Sequence, residues 1–253
     1  IVMATFAIIQ ARMGSTRLPG KILLDIGPGV SVLDCMLTRV AVCKEIDTTI
    51  VATTTNEKDS VLAEYLKERS LPYYVGSEED VLDRYYQAAL AHGAKSGDVI
   101  VRMTSDCPLI DPSVADTTVR FFKDGDFDYA SNNLEPYTYA DGMDTEVFSF
   151  DALERTWKEA TIPAHREHVT FYMWKNPELF RIGQYVNPKA GQAGYRLTLD
   201  YQEDMDVLKD VYTHLYPQNP LFTMEDILDY LDAHPEVKEI NTDVERNASW
   251  KAA

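Results

Sequence analysis

The sequence predicts a three-layer α/β fold around a mostly parallel, Rossmann-like sheet, and three observations carry that prediction. Short apolar runs rich in Val, Ile, Thr and Tyr recur along the chain. Amphipathic helical stretches separate them, the order that a doubly wound parallel sheet requires. The chain has 253 residues, at the upper end of what one hydrophobic core supports, and 45% of them are hydrophobic.

The strand-like runs fall at 4–10, 48–54, 72–76, 98–104 and 128–131. Residues 31–44 read as a helix with Ser31 as its N-cap, and 57–70 and 79–93 place apolar residues at i, i+3 and i+4. From about residue 141 the rhythm changes. Residues 141–150 look like a strand, 151–160 and 164–176 like helices, and 181–186 and 195–200 like strands again. This half reads as an extension of the sheet carrying an excursion over about 141–195. An amphipathic helix over 223–234 follows, and then a tail without clear periodicity. There is no internal repeat and no long linker, so 1–253 reads as one domain.

Charged residues make up 26% of the chain, and Gly and Pro number 12 each, which excludes collagen-like and disordered classes. With 24 basic and 41 acidic residues the formal charge is −17, a poor match for duplex nucleic acid. An anionic ligand must therefore meet a local basic cluster. Cys35, Cys43 and Cys107 are an odd number without CxxC spacing, which fits neither a disulfide framework nor a zinc knuckle and points to a reducing, cytoplasmic setting. The opening IVMATFAIIQ lacks a basic flank and reads as a buried strand rather than a signal peptide, with Met3 as the expected natural start. No stretch approaches the ~18 apolar residues of a membrane span. Asp126-Phe127-Asp128 spells a DxD but precedes a strand, so it reads as a solvated turn. Asn247-Ala248-Ser249 reads as a chance sequon.

In an open α/β sheet the ligand lies beyond the carboxyl ends of the strands. There the loop Ala11 to Lys21 gathers Gly14, Gly20, Arg12, Arg17, Lys21, Ser15 and Thr16. Glycines let backbone N–H groups approach an anion and the cations neutralise it, so the loop suits phosphates. It is not a Walker A loop, because five residues separate Gly14 from Gly20 and Ile22 replaces the metal-binding hydroxyl. The bland alternative is a basic surface turn. Asp106 directly follows a strand, where a carboxylate suits Mg²⁺ facing phosphates or simply caps the next turn. Asp200 offers the same choice between metal and helix N-cap. Asp80 and Arg84 stand at i, i+4, the spacing of a helix-surface salt pair. Arg102 and Thr104 share a strand face. Asp141, Asp144 and Glu146 are candidates for sugar hydroxyls or for turn and edge-strand acids.

The wording IIQARMGSTRLPGK resembles the opening of the cytidylyltransferases that make CMP-activated acid sugars. These are the 3-deoxy-manno-octulosonate and acylneuraminate enzymes, and especially the spore coat polysaccharide biosynthesis protein F (SpsF) branch. The likeness continues through VATTTN, GSEEDVLDRYYQAA, VRMTSDCPLIDP, DGMDTEVFSF, REHVT and LTLDYQEDMDVL, from about residue 5 to about 215. The resemblance implies a nucleotidyltransferase sheet, CTP, a Mg²⁺ cofactor, an acidic sugar or related anionic acceptor, and a homodimer formed through the excursion. By resemblance, Arg12 and Lys21 would contact the triphosphate in a loop that includes Ala11, Gly14 and Ser15, with Asp80 and Arg84 beside the nucleotide. Asp106 and Asp200 would hold the metal. His168, with Arg166 behind it, would meet the sugar acid together with Asp144 and Glu146; the bland reading of 165–168 is the polar face of an interface helix. The chain departs from the octulosonate branch in carrying DCPL where that group has a glutamate-containing stretch, which leaves the acceptor open. No Ser/His/Asp or Cys/His grouping demands a covalent intermediate. The competing readings are a nucleotide-sugar-dependent glycosyltransferase, a nucleotidyltransferase using another NTP, and a non-catalytic nucleotide binder.

Overall fold

The structure is a computed structural model describing residues 3–244 and residue 246. The sequon at 247–249 and the first two residues lie outside the described residues. The chain begins with β1 (Thr5–Gln10), a hairpin of β2 (Asp25–Gly27) and β3 (Val30–Ser31), α1 (Val32–Val40), β4 (Thr48–Thr54), α2 (Ser60–Glu68), β5 (Tyr73–Gly76) and α3 (Val81–Ala91). It continues with β6 (Val99–Thr104), α4 (Pro112–Asp124), β7 (Tyr129–Ser131), β8 (Glu146–Ser149), α5 (Phe150–Glu159), α6 (Pro163–Glu167) and α7 (Phe171–Trp174). Last come β9 (Ile182–Gln184), α8 (Gln202–Leu215), α9 (Met224–Ala233) and α10 (Pro235–Lys238).

Seven strands form one sheet in the order β5-β4-β1-β6-β8-β7-β9. β1 is parallel to both of its neighbours, β4 and β6. The chain leaves β1 for β4 on one side and reaches β6 on the other, so strand order reverses at the carboxyl end of β1. β8 runs antiparallel to β6 and β7, and β9 pairs in parallel with β7.

The apolar run of β1 is continuous because both of its faces are covered. Phe6 and Ile8 enter a cluster with Leu82, Tyr85 and Ala89 of α3. Ala7 and Ile9 enter another with Met36 and Val40 of α1 and Val119 and Phe122 of α4. A third cluster joins Leu197 and Leu199 to α8, α9 and Ile26 of the hairpin. Ser31 caps α1 by accepting the N–H of Asp34 at 3.0 Å, which closes a capping box.

Several elements differ from the sequence expectation. The helix read over 31–44 ends at Val40, and 57–70 divides into a 3-10 turn at Glu57–Asp59 followed by α2. Residues 164–176 break into α6 and α7, because Val169 takes the left-handed conformation (φ 57°). The strand read over 141–150 contracts to β8. Residues 195–200 stay extended but join no strand: Leu197 N–H donates to Asp141 O and Leu199 N–H to Asp106 O, so their bonds go to loops. α4 and the β2–β3 hairpin went unread in the sequence. Asp126 and Asp128 of the DxD hold Arg181 ahead of β9, away from the carboxyl ends of β1 and β6. Among the described residues no helix is long and apolar enough to cross a membrane.

Gly142 (φ +101°) lets the 141–145 loop lie against Leu197, where an added Cβ would stand 2.6 Å from the Leu197 carbonyl carbon. Gly142→Ala is therefore expected to lower the urea-unfolding free energy by about 2 kcal/mol or more. Gly191→Ala (φ +83°) faces open space and should cost about 1 kcal/mol. Equal losses in the two variants would refute the close-approach argument.

Candidate active site

A polar cavity of about 1080 Å³ opens at the carboxyl ends of β1 and β6, where strand order reverses. It is large enough for a nucleotide and a second polar ligand. One wall is the loop after β1. Gly20, in the left-handed conformation, closes that loop by donating its N–H to Met13 O at 3.1 Å. Buried Asp59 accepts the Met13 N–H at 2.6 Å and the Thr54 hydroxyl, and so fixes the loop from below. Asp59 gave no signal in the sequence beyond its place after a strand.

The loop aims Lys21 inward. Its Nζ lies 3.3 Å from Asp106 Oδ2 and 3.1 Å from Asp200 Oδ1, and it donates to Leu199 O. Burial works against both charges, but each outweighs it for the other. The two carboxylates hold the Lys21 ammonium above its ordinary value, and Lys21 with the Thr104 hydroxyl holds Asp106 below its own. Arg17 also reaches Asp200 Oδ1, at 2.6 Å, and lies over the Tyr201 ring.

Of the residues singled out in the sequence, Ala11, Arg12, Ser15, Lys21, Arg84, Asp106, Asp144, Glu146, His168 and Asp200 line this cavity. Gly14, Asp80 and Arg166 do not. Asp80 caps α3 by accepting the Asp83 N–H at 2.9 Å and pairs with Arg166 Nε at 2.7 Å. That pair joins α3 to the excursion and replaces the Asp80–Arg84 surface pair foreseen from i, i+4 spacing. Arg84 instead turns inward and donates to Ser77 O. Burial and the nearby Arg12 push its pKa down.

At the opposite end lie the acids of the 141–146 segment. Glu146 is enclosed by Arg102, the Tyr129 hydroxyl at 2.7 Å and the Thr170 hydroxyl at 2.6 Å. Asp144 accepts from Arg246 at 2.8 Å, and Arg246 also donates to Asn133 and Tyr139 O. Burial, reinforced by Asp141, pushes Asp144 up to about 7 against the pull of Arg246. His168 stacks on Phe171 at 4.3 Å, and burial pushes its pKa down.

Sequence reasoning missed Arg196. It meets Asp141, Asp200 and Asp204. The available signal was alternation: extended backbone puts residues 196, 198 and 200 on one side, and all three line the cavity.

The acid pair can be tested against the cation the resemblance implies. Asp106 and Asp200 come from separate segments and converge on one cationic atom, Lys21 Nζ. Two oxygen ligands suit Mg²⁺, which takes one or two carboxylates and fills its shell with phosphate oxygens and water. Among the described residues no set of three or more His, Cys, Asp or Glu side chains is arranged to hold a metal, so no zinc-type cage is built.

A basic loop at the strand-order reversal, in direct contact with an acid pair beside a nucleotide-sized cavity, is the arrangement of an α/β nucleotidyltransferase. Comparison with known proteins agrees. The sequence matches the family described as Cytidylyltransferase over residues 6–240. It is 38% identical over 247 residues to an uncharacterized protein of Methanocaldococcus jannaschii, covering 97% of this chain and 98% of that one. It is 32% identical to the spore coat polysaccharide biosynthesis protein SpsF of Bacillus subtilis, covering 90% and 94%. Among solved structures, a cytidylyltransferase from Leptospira borgpetersenii matches at a TM-score of 0.87 and 34% identity, covering 97% of this chain and 100% of that one. The chain belongs to the cytidylyltransferase family and is a CTP-dependent nucleotidyltransferase.

The raised Asp144 carboxyl has a signed consequence. From the ordinary value of 3.8 up to about 7, the unfolded chain has lost this proton while the folded chain still holds it. This group therefore lowers stability as pH rises through that window. Asp106, shifted the other way, contributes stability above 3.8 that is lost as pH falls through its folded value. Asp144→Asn should flatten the decline in melting temperature between about pH 4 and about pH 7. An unchanged slope would refute the assignment.

Proposed function

We propose that this cytidylyltransferase transfers CMP from CTP to a hydroxyl of an acidic sugar or related anionic acceptor, in surface polysaccharide or glycan biosynthesis. The observation that carries the reading is the convergence of Asp106, Asp200 and Lys21 beside the basic loop. The name of the SpsF relative supports the polysaccharide setting.

In this reading the acceptor oxygen attacks the α-phosphorus, the bond to the β-phosphate oxygen breaks, pyrophosphate leaves, and the hydroxyl proton passes to solvent. Arg12, Lys21 and Arg84 offset the charge that gathers on the departing pyrophosphate. The Ala11–Ser15 backbone, with Gly14 in its turn, frames the triphosphate. Asp106 and Asp200 would hold Mg²⁺, which supplies charge neutralisation during an in-line displacement. Asp144, Glu146 and His168 face the acceptor; Asp80 and Arg166 support both ends through their ion pair.

The reading also includes one domain over 1–253, a homodimer through the 141–195 excursion and a cytoplasmic setting. Ile162 and Val186 are exposed apolar side chains on that excursion and support the dimer. Three buried free thiols suit a reducing compartment.

CTP with Mg²⁺ should raise the melting temperature more than UTP, GTP or ATP does, by about 2.7 kcal/mol of stabilisation at 100-fold excess over Kd. With an accepted acid sugar, Asp106→Asn and Lys21→Ala should each cut pyrophosphate release by about 100-fold or more while staying folded. Stabilisation by a UDP-sugar and not by CTP would move the assignment to a glycosyltransferase.

A further inference from the structure

One guanidinium ties two acids of this cavity, Asp141 and Asp200, to a third that is fully buried behind them, Asp204. Arg196 donates through Nε to Asp204 Oδ1 at 2.8 Å and through Nη2 to Asp204 Oδ2 at 3.1 Å. The same Nη2 reaches Asp200 Oδ2 at 3.1 Å, and Nη1 reaches Asp141 Oδ2 at 3.0 Å. Its side chain is 8% exposed and that of Asp204 is 0% exposed, so water screens neither. The pairing with Asp204 and the charges of Asp141 and Asp200 outweigh burial and hold Arg196 fully protonated.

Asp204 repeats the grip on the backbone. It accepts the N–H of Asp200 at 2.8 Å and of Tyr201 at 3.0 Å, at the start of α8. Asp200 is thus held by its Oδ2 on Arg196 and by its own N–H on Asp204. Its Oδ1 then meets Lys21, on the side where Asp106 also lies, and Arg17 from the first loop.

We propose that Arg196 is a positioning residue for the reaction: together with Asp204 it locks the rotamer of Asp200 so that one oxygen faces the Asp106 side. Through Asp141 it also links this end of the cavity to the acceptor end. The role needs an arginine, because a planar fork reaches several carboxylates in fixed directions and a lysine ammonium cannot. The proposal rests on the Mg²⁺ reading above.

The alternative is that Arg196 only staples the start of α8 to the 141 loop. Calorimetry separates the two in the full-length protein, using Mn²⁺ as the metal probe. CTP affinity is measured with saturating Mn²⁺ and again in EDTA; the ratio is the gain that depends on metal. In Arg196→Gln that gain should fall by about 10- to 100-fold, the usual cost of removing a partner that orients a metal ligand, a loss read as the ratio so that any change in CTP affinity in EDTA cancels. Arg196→Lys keeps the charge and should recover part of the gain; should the Gln variant not fold, the Lys variant decides by its own shortfall from wild type. A lower melting temperature with an undiminished gain would overturn the positioning role. A wild-type protein whose CTP affinity ignores Mn²⁺ would overturn the metal reading itself, and this is seen before any variant is made.

Discussion

The meeting of buried Lys21 with the half-buried Asp106 and Asp200 is the constraint around which the rest of the molecule is arranged. Charges removed from water are costly unless paired and hydrogen-bonded. Here the ammonium comes from the loop after β1, one carboxylate from the loop after β6 and the other from the extended segment before α8. Lys21 and Asp200 are 179 residues apart. Their encounter requires β1 and β6 to be neighbours in the sheet and the 195–200 segment to be drawn across the strand ends. Backbone bonds from Leu197 to Asp141 and from Leu199 to Asp106 do the drawing.

Charge in the cavity is divided by location. Arg12 and Arg84 line it beside the first loop, and neither forms an ion pair among the described contacts of that wall. At the other end, arginines and acids are already matched: Arg102 with Glu146, Arg196 with Asp141, and Arg246 with Asp144. Such pairs favour orientation over net attraction, because each carboxylate is held in one rotamer with its remaining lone pairs directed. Arg246 lies beyond the stretch matched by the family, 6–240, and still completes this wall.

The fold supplies the rigidity. β1 is covered on both faces, so its carboxyl end cannot shift without disturbing two packed layers. The reversed strand β8 brings Glu146 opposite Arg102 in register, which makes a sheet pairing into one side of the cavity. The helices of the excursion pack onto α3, and the Asp80–Arg166 pair fastens them there. The first loop and the 141–146 segment are therefore carried by elements that touch each other.

The sequence by itself determined what depends on neighbouring residues. Alternating apolar strands and amphipathic helices gave the α/β class. Glycine, proline and clustered cations marked the loop at Ala11–Lys21, and placement after a strand marked Asp106. The stretch from Arg12 to Lys21 stood out because glycines and cations are locally dense there, the composition that an anion site requires. Tertiary structure decided the partners: that Arg196 would grip Asp200, that Arg246 would return to Asp144, that Asp80 would pair with Arg166 rather than Arg84, and that 195–200 would stay out of the sheet. Except for Arg196 and Asp200, four apart on non-helical backbone, these contacts join residues far apart in the chain. Their energies come from burial and from directions in space, and neither quantity has a period or a spacing that the linear sequence can display.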